Sequence, residues 1–147
     1  MSDLNIDEFY ADAALTLTNL YAVFPRPVTI FAEDICGPDE PDEYGVHSNR
    51  YLACFSTLLW LGEEGYIRYA DTIRQDAVDQ AVLTGRCFAA LMSPAPQHEQ
   101  TGSEEDLPPS VAIRQRSIVH ALEVAVKSKS SPAIQAAFSP LLERMAR

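Results

Sequence analysis

The sequence predicts a mainly α-helical protein that contains a small two-stranded β-hairpin. Apolar residues recur every three or four positions over most of the chain, and only two short runs near the middle alternate between apolar and polar residues. The 147 residues, 47% hydrophobic and 22% charged, suffice for one globular domain with an appended segment. We expect a domain over residues 1–92, a linker over residues 93–109 and a C-terminal helical segment over residues 110–147.

The first two helices are predicted from the helix period and from the residues that end them. The first covers residues 7–24, and a Pro-Arg-Pro sequence directly after it prevents its continuation. Asn5 and Glu8 have the spacing of a capping box at its start. A short second helix is expected to begin after Thr29 as N-cap and to end at Gly37, which a proline follows.

The middle of the chain predicts a third helix, the hairpin and a fourth helix. Ser48 is a favourable N-cap for the third helix, and Gly65 can supply the left-handed residue that ends it. Residues 66–73 and 77–83 alternate in polarity on either side of a loose turn, which is typical of a β-hairpin. Thr84 is then expected to cap a fourth helix that ends before the linker.

The C-terminal segment predicts two more helices. The first covers residues 110–127 and has an apolar stripe composed of Val111, Ile118, Leu122 and Ala125. The second is expected to begin at Ser131 and Pro132, because serine caps a helix and proline suits its first position. Pro140 is expected to kink this helix or to start a new turn.

Charge is distributed unevenly along the chain, whose formal net charge is −10. Residues 1–67 contain two basic and twelve acidic side chains, whereas residues 107–147 contain six basic and two acidic ones. A negative potential of this size repels polyanions at long range. Nucleic-acid binding would therefore require a local basic patch.

Sequence patterns of enzymes, cofactor sites and membrane spans are absent. There is no phosphate-binding loop, nucleophile elbow or Cys-x-x-Cys pair, and the three histidines share no ligand spacing, so we expect no catalysis, cofactor or metal. A Cys–His nucleophile formed only by the fold stays open. Cys36, Cys54 and Cys87 are spaced like the reduced thiols of a cytoplasmic protein. No apolar run is long enough to span a bilayer.

The predicted order of helix, short helix, loop, helix, hairpin and helix resembles a winged helix-turn-helix domain over about residues 7–92. Two stretches carry the resemblance, residues 58–68 (LLWLGEEGYIR) and residues 81–91 (AVLTGRCFAAL). They are similar to the passages into and out of the wing in bacterial regulators of the MarR and PadR type. The resemblance implies that the third helix enters the DNA major groove, that the wing contacts the backbone and that C-terminal helices form a dimer interface.

Carried over by position, the resemblance also implies a set of DNA contacts. The groove and wing candidates are His47, Asn49, Arg50, Thr57, Arg68 and Arg74, with Ser48, Ala53 and Arg86 beside them. The chain departs from the pattern immediately before the third helix, where a loop carries four carboxylates. These protein-interaction candidates are Asp39, Glu40, Asp42 and Glu43. Trp60 and Tyr66 are interpreted as core and hinge aromatics.

Weighing these signals, we predict a non-catalytic winged-helix binding module, a regulatory accessory protein that binds a protein partner through its acidic surface. The alternative is a dimeric DNA-binding transcriptional regulator. Residues 110–147 either pair with a second copy in a homodimer or fold back on the first helix. A small-molecule sensor or enzyme would need a pocket between the C-terminal segment and the rest of the chain.

Overall fold

A computed structural model describes residues 3–96 and 108–147. Over these residues the chain is mainly helical with one small antiparallel sheet. The helices are α1 (Leu4–Val23), α2 (Ala32–Cys36), α3 (Asn49–Glu63), α4 (Gly85–Met92), α5 (Pro109–Arg116), α6 (Ile118–Ser128) and α7 (Ser131–Met145). The strands are β1 (Val28–Phe31), β2 (Ile67–Arg68), β3 (Asp71–Ile73) and β4 (Ala77–Leu83).

The predicted hairpin is confirmed, and β4 is its central strand. β2 and β3 pair antiparallel with successive parts of β4, as Ile67 opposite Leu83 and Ile73 opposite Ala77 demonstrate. On its other edge β4 pairs with β1, where Val28 lies opposite Ala81. The sheet is therefore wider than the two strands predicted.

The added strand corrects the prediction that a helix begins after Thr29. Only Ala32–Cys36 is helical, and the residues before it form β1. β-branched and aromatic residues suit a strand, and the free edge of β4 supplies hydrogen-bond partners that a local reading of the sequence cannot see. Gly37 ends α2 with φ +94°, as predicted.

The predicted capping box at the start of α1 is wrong. The helix begins at Leu4, and Asp3 is its N-cap residue without a side-chain capping bond. Asn5 and Glu8 consequently lie inside the helix. The carboxylate of Glu8 lies 3.9 Å from the Nε of Arg50.

The caps around the hairpin are confirmed. The Oγ of Ser48 accepts a hydrogen bond from the Tyr51 amide at 3.2 Å, and Gly65 has the left-handed φ of +81° that ends α3. Thr84 accepts from the Cys87 amide at 3.1 Å and donates to the Gly65 carbonyl at 2.6 Å. Thr84 thus joins the end of α3 to the start of α4.

The helix predicted over residues 110–127 is broken at Ser117, which caps α6. The break occurs because the chain leaving α4 pairs there: the Ala95 amide donates to the Arg116 carbonyl at 2.7 Å and the Ile118 amide to the Ser93 carbonyl at 2.9 Å. Residues 93–96 are therefore anchored, whereas residues 97–107 of the predicted linker lie outside the described residues.

The final helix begins one residue earlier than predicted, with Ser130 as N-cap, and α7 continues through Pro140. The prediction that Ser131 caps it is therefore wrong by one position.

α1 lies at the centre of the core, against α3, α6 and α7. Phe138 of α7 is fully buried and contacts Phe9 and Tyr10 of α1. Residues of both the N-terminal and the C-terminal segments belong to one hydrophobic cluster. The stripe residues Ile118, Leu122 and Ala125 are buried within this chain, whereas Val111 is 40% exposed. α6 and α7 therefore fold back on α1.

None of the described helices is long and apolar enough to cross a membrane.

The junction at Thr84 generates a stability prediction. Thr84→Ala removes the hydrogen bonds of the hydroxyl to Gly65, Tyr66 and Cys87, so we expect a loss of about 1 kcal/mol in the free energy of unfolding. Thr84→Ser keeps the hydroxyl and is the matched control. Urea denaturation of the three proteins measures the difference. Equal midpoints for the alanine and serine variants would exclude a capping role.

Candidate interaction surface

The loop between α2 and α3 carries the four predicted interaction carboxylates, and Asp39 is the one most tightly held. Its Oδ1 accepts from the Ser48 amide at 3.1 Å, and its Oδ2 lies 2.5 Å from the Nδ1 of His47. Burial alone would raise the pKa of Asp39, but the hydrogen bonds from His47 and Ser48 outweigh it and lower that pKa below its ordinary value of 3.8. Asp39 therefore stabilises the start of α3.

The other loop carboxylates divide into one that shapes the loop and two that face solvent. The Oδ1 of Asp42 accepts from the amides of Tyr44 and Val46, each at 2.9 Å, which closes a tight turn. Glu40 and Glu43 are exposed. The loop therefore presents two carboxylates on a backbone that Asp39 and Asp42 fix in place.

His47, predicted as a groove contact, is instead part of a polar cluster. Its ring stacks on Tyr51 at 4.6 Å, and its Nε2 lies 3.8 Å from an Asp76 carboxylate oxygen. The Tyr51 hydroxyl donates to the same carboxylate at 2.8 Å. Burial, followed by this carboxylate, raises the pKa of Tyr51. The cluster connects the acidic loop to the hairpin turn.

Arg50, one of the predicted DNA contacts, forms an ion pair with a buried carboxylate of α1. Its two terminal nitrogens donate to the two oxygens of Asp12 at 2.7 and 2.6 Å. The Asp12 side chain is 2% exposed, whereas that of Arg50 is 36% exposed. These hydrogen bonds raise the pKa of Arg50. The buried Asp12 carboxylate gives Arg50 a structural role, and its contact with DNA stays a prediction.

The remaining DNA-contact candidates differ in their exposure and in their hydrogen bonds. Thr57 is buried and its hydroxyl donates to the Ala53 carbonyl at 3.0 Å, a position that does not favour a base contact. Asn49, Arg68 and Arg74 are exposed. Arg86, which the resemblance placed at the wing, donates to the carbonyls of Met145 and Arg147 at the end of α7.

The two buried cysteines are poorly suited to nucleophilic chemistry. Cys54 and Cys87 are buried, and burial raises the pKa of Cys54 and raises that of Cys87 to about 12. Such thiols are not ionised near neutrality and are poor nucleophiles. Within the described ranges, no group of three or more histidine, cysteine or carboxylate side chains could hold a metal ion.

Trp60, interpreted from the sequence as a core or hinge aromatic, lies at the surface of α3. It is only partly buried, and it separates two depressions on the surface of α3. One, of about 380 Å³, is lined by Phe9, Ser56, Thr57 and Trp60. The other, of about 390 Å³, is lined by Trp60, Glu64, Tyr66, Leu142, Met145 and Ala146. Helix periodicity alone could not find them, because α1 and α7 contribute their walls.

Comparison with known proteins adds no neighbour: no protein-family model, curated protein or solved structure matches this chain. The features that bear on function are therefore those of the chain itself: two exposed loop carboxylates, an Arg50 paired with Asp12, and a partly exposed Trp60.

The Arg50–Asp12 pair predicts a large effect on stability. Arg50→Met leaves the buried Asp12 carboxylate without a partner, so we expect a loss of about 2–4 kcal/mol in the free energy of unfolding, measured by urea denaturation. Adding Asp12→Leu should recover most of this loss, since no buried charge remains. Arg68→Met at an exposed position is the control and should change the value by less than about 0.5 kcal/mol. Equal losses of stability in Arg50→Met and Arg68→Met would contradict the role assigned to the Arg50–Asp12 pair.

The hydrogen bonds of Asp39 predict a pH dependence. Because its folded-state pKa is lowered, its contribution to stability is present above the ordinary value of 3.8 and is lost as the pH falls through the lower folded value. The free energy of unfolding should therefore decline less steeply on acidification in Asp39→Asn than in the wild type. Glu40→Gln, at an exposed neighbour, should follow the wild-type curve. Parallel curves for all three proteins would mean that Asp39 is not held as described.

Proposed function

We propose that this chain is a non-catalytic binding module with a winged-helix scaffold, and that its acidic loop receives a basic segment of a partner protein. One observation carries the proposal: Arg50, the cation best placed to read DNA, is bound to Asp12, while Glu40 and Glu43 remain exposed beside α3. A surface with this charge attracts cations and repels phosphates.

The element order supports the scaffold. A helix, a short helix, a longer helix, a hairpin and a further helix follow one another as the resemblance requires, and β1 extends the hairpin into a sheet. In this arrangement α3 would be the recognition helix and the turn between β3 and β4 would be the tip of the wing.

The charges of the wing favour a protein partner over DNA. Arg68 and Arg74 are exposed there, but Asp71 lies in β3 between them and Asp79 lies opposite Asp71 on β4. Each phosphate contact needs a positive group that its own neighbours do not neutralise. Asn49 can still reach an adenine edge, so duplex binding is the second candidate function.

Charge reversal at the loop tests the proposal. A labelled octalysine peptide is titrated at low ionic strength and its anisotropy is followed for the wild type and for Glu40→Lys/Glu43→Lys. We expect the reversal to weaken binding about tenfold, because two exposed ion pairs become repulsive. Asp39 and Asp42 stay unchanged because they shape the loop.

The matched control has the same change in net charge at a distance from the loop, through Asp71→Lys/Glu143→Lys, both at exposed positions. If both double variants weaken peptide binding equally, net charge and not the loop explains the binding. A mobility-shift assay with duplex DNA decides the second candidate. A shift of the wild type that Arg68→Ala/Arg74→Ala abolishes would favour the DNA-binding regulator.

A further inference from the structure

Two shallow depressions meet at Trp60 on the surface of α3, and we call them together the trough. The Phe9 ring meets Trp60 edge-on at 5.1 Å, and Tyr66 lies 5.4 Å from Trp60 on the other side. The depressions on either side, about 380 and 390 Å³, are each large enough for one bulky side chain. A partly exposed tryptophan between two apolar depressions is the kind of anchor that dominates the energy of protein interfaces.

Two exposed carboxylates lie beside this trough. Glu63 and Glu64 are exposed at the C-terminal end of α3, and Glu64 lines the second depression. The helix dipole is negative at this end, where cations normally stabilise a helix, yet the last turn of α3 contains no basic residue. A cation supplied from outside the chain would therefore improve the electrostatics of this helix end.

The arginines nearest to this surface form no ion pair with Glu63 or Glu64 in the described part of the chain. Arg50 is bound to the Asp12 carboxylate, whereas Arg86 donates to the neutral carbonyls at the end of α7 and so keeps its charge near the second depression. Arg68 shares a separate depression with Glu63 but forms no ion pair with it within the described residues. Neither wall of the trough contributes a lysine or an arginine from the described part of the chain.

We propose that the trough over Trp60 binds a short segment of a partner protein in which a large apolar side chain fills the depression beside Phe9 and a neighbouring lysine or arginine lies over Glu64. This inference rests on the proposed function, since it assigns the chemistry of the partner and adds a second contact at the opposite end of α3. The segment is amphipathic and basic, because the trough supplies apolar walls and a carboxylate and no cation.

Trp60 is the only tryptophan of the chain, so its fluorescence reports directly on the trough. The probe is a ten-residue peptide of leucine and lysine that contains no aromatic residue, and a leucine–glutamate peptide of the same pattern is the control. The lysine peptide should shift the emission of Trp60 saturably and protect it from acrylamide quenching. The glutamate peptide should do neither. This fluorescence experiment uses only the wild-type protein, so a variant that fails to fold cannot affect its result.

Two variants separate the apolar from the charged contact. Ser56→Phe, at an exposed position, fills the first depression, and Glu64→Lys reverses the charge of the second. Each is expected to weaken binding at least fivefold, while circular dichroism checks that the variant is folded. Glu143→Lys, which is exposed on α7 and has the same charge change as Glu64→Lys, should bind like the wild type.

The outcomes distinguish this inference from the proposed function. Loss of binding in Ser56→Phe and Glu64→Lys, with a Trp60 response in the wild type, supports the trough. Binding that is lost only in Glu40→Lys/Glu43→Lys, without a response of Trp60, overturns the trough and leaves the acidic loop as the site. Absence of binding to the leucine–lysine peptide overturns the trough, and if octalysine also fails to bind, the proposed function falls with it.

Discussion

The need to pair the buried Asp12 carboxylate with Arg50 is the constraint that connects the core of the protein to the charge of its surface. Asp12 lies in the middle of α1 with almost no exposure, and a buried carboxylate is tolerated only when a cation satisfies both of its oxygens. Arg50 meets this requirement from the first turn of α3 and so fixes how α3 lies against α1. Because α6 and α7 pack on the same α1, the position of the C-terminal helices follows. The same pair removes a positive charge from the surface of α3, so a requirement of the core determines the electrostatics outside it.

A second polar cluster determines how rigidly the acidic loop is presented. Asp39 binds His47 and the start of α3, His47 stacks on Tyr51, and Tyr51 donates to Asp76 in the hairpin turn. The Asp76 carbonyl in turn accepts from the Ala32 amide at 2.8 Å, where α2 begins. One loop, two helices and the turn are thereby held in a single network. A loop fixed in this way loses less conformational freedom on binding than a loose one, so more of its electrostatic attraction is available as affinity.

Local chemistry predicted those parts of the fold that depend on neighbouring residues. Ser48, Gly65 and Thr84 act within a few positions of themselves, and each lies where its side chain or its backbone freedom predicts. The failures required distant partners: Val28–Phe31 becomes a strand only because β4 offers an edge, and Ser117 breaks a helix only because the chain near Pro94 pairs with it. The candidate site follows the same rule. The exposure of Glu40 and Glu43 was predictable from their position in an acidic loop. The burial of Thr57 and the ion pair of Arg50 with a carboxylate 38 positions away were not predictable from neighbouring residues.

The distribution of charge places exposed carboxylates at both ends of α3. The basic residues of the C-terminal segment lie on α5 to α7 and beyond, where Arg114, for example, is bound to Glu123 and stacks over Tyr21. Uncompensated carboxylates repel one another and oppose folding, to an extent that salt reduces. A basic segment along α3 would relieve this repulsion at both ends, and the apolar walls around Trp60 would favour a segment with a bulky side chain between its charges. Shape and charge on this face therefore give two independent arguments for the proposed amphipathic, basic partner segment.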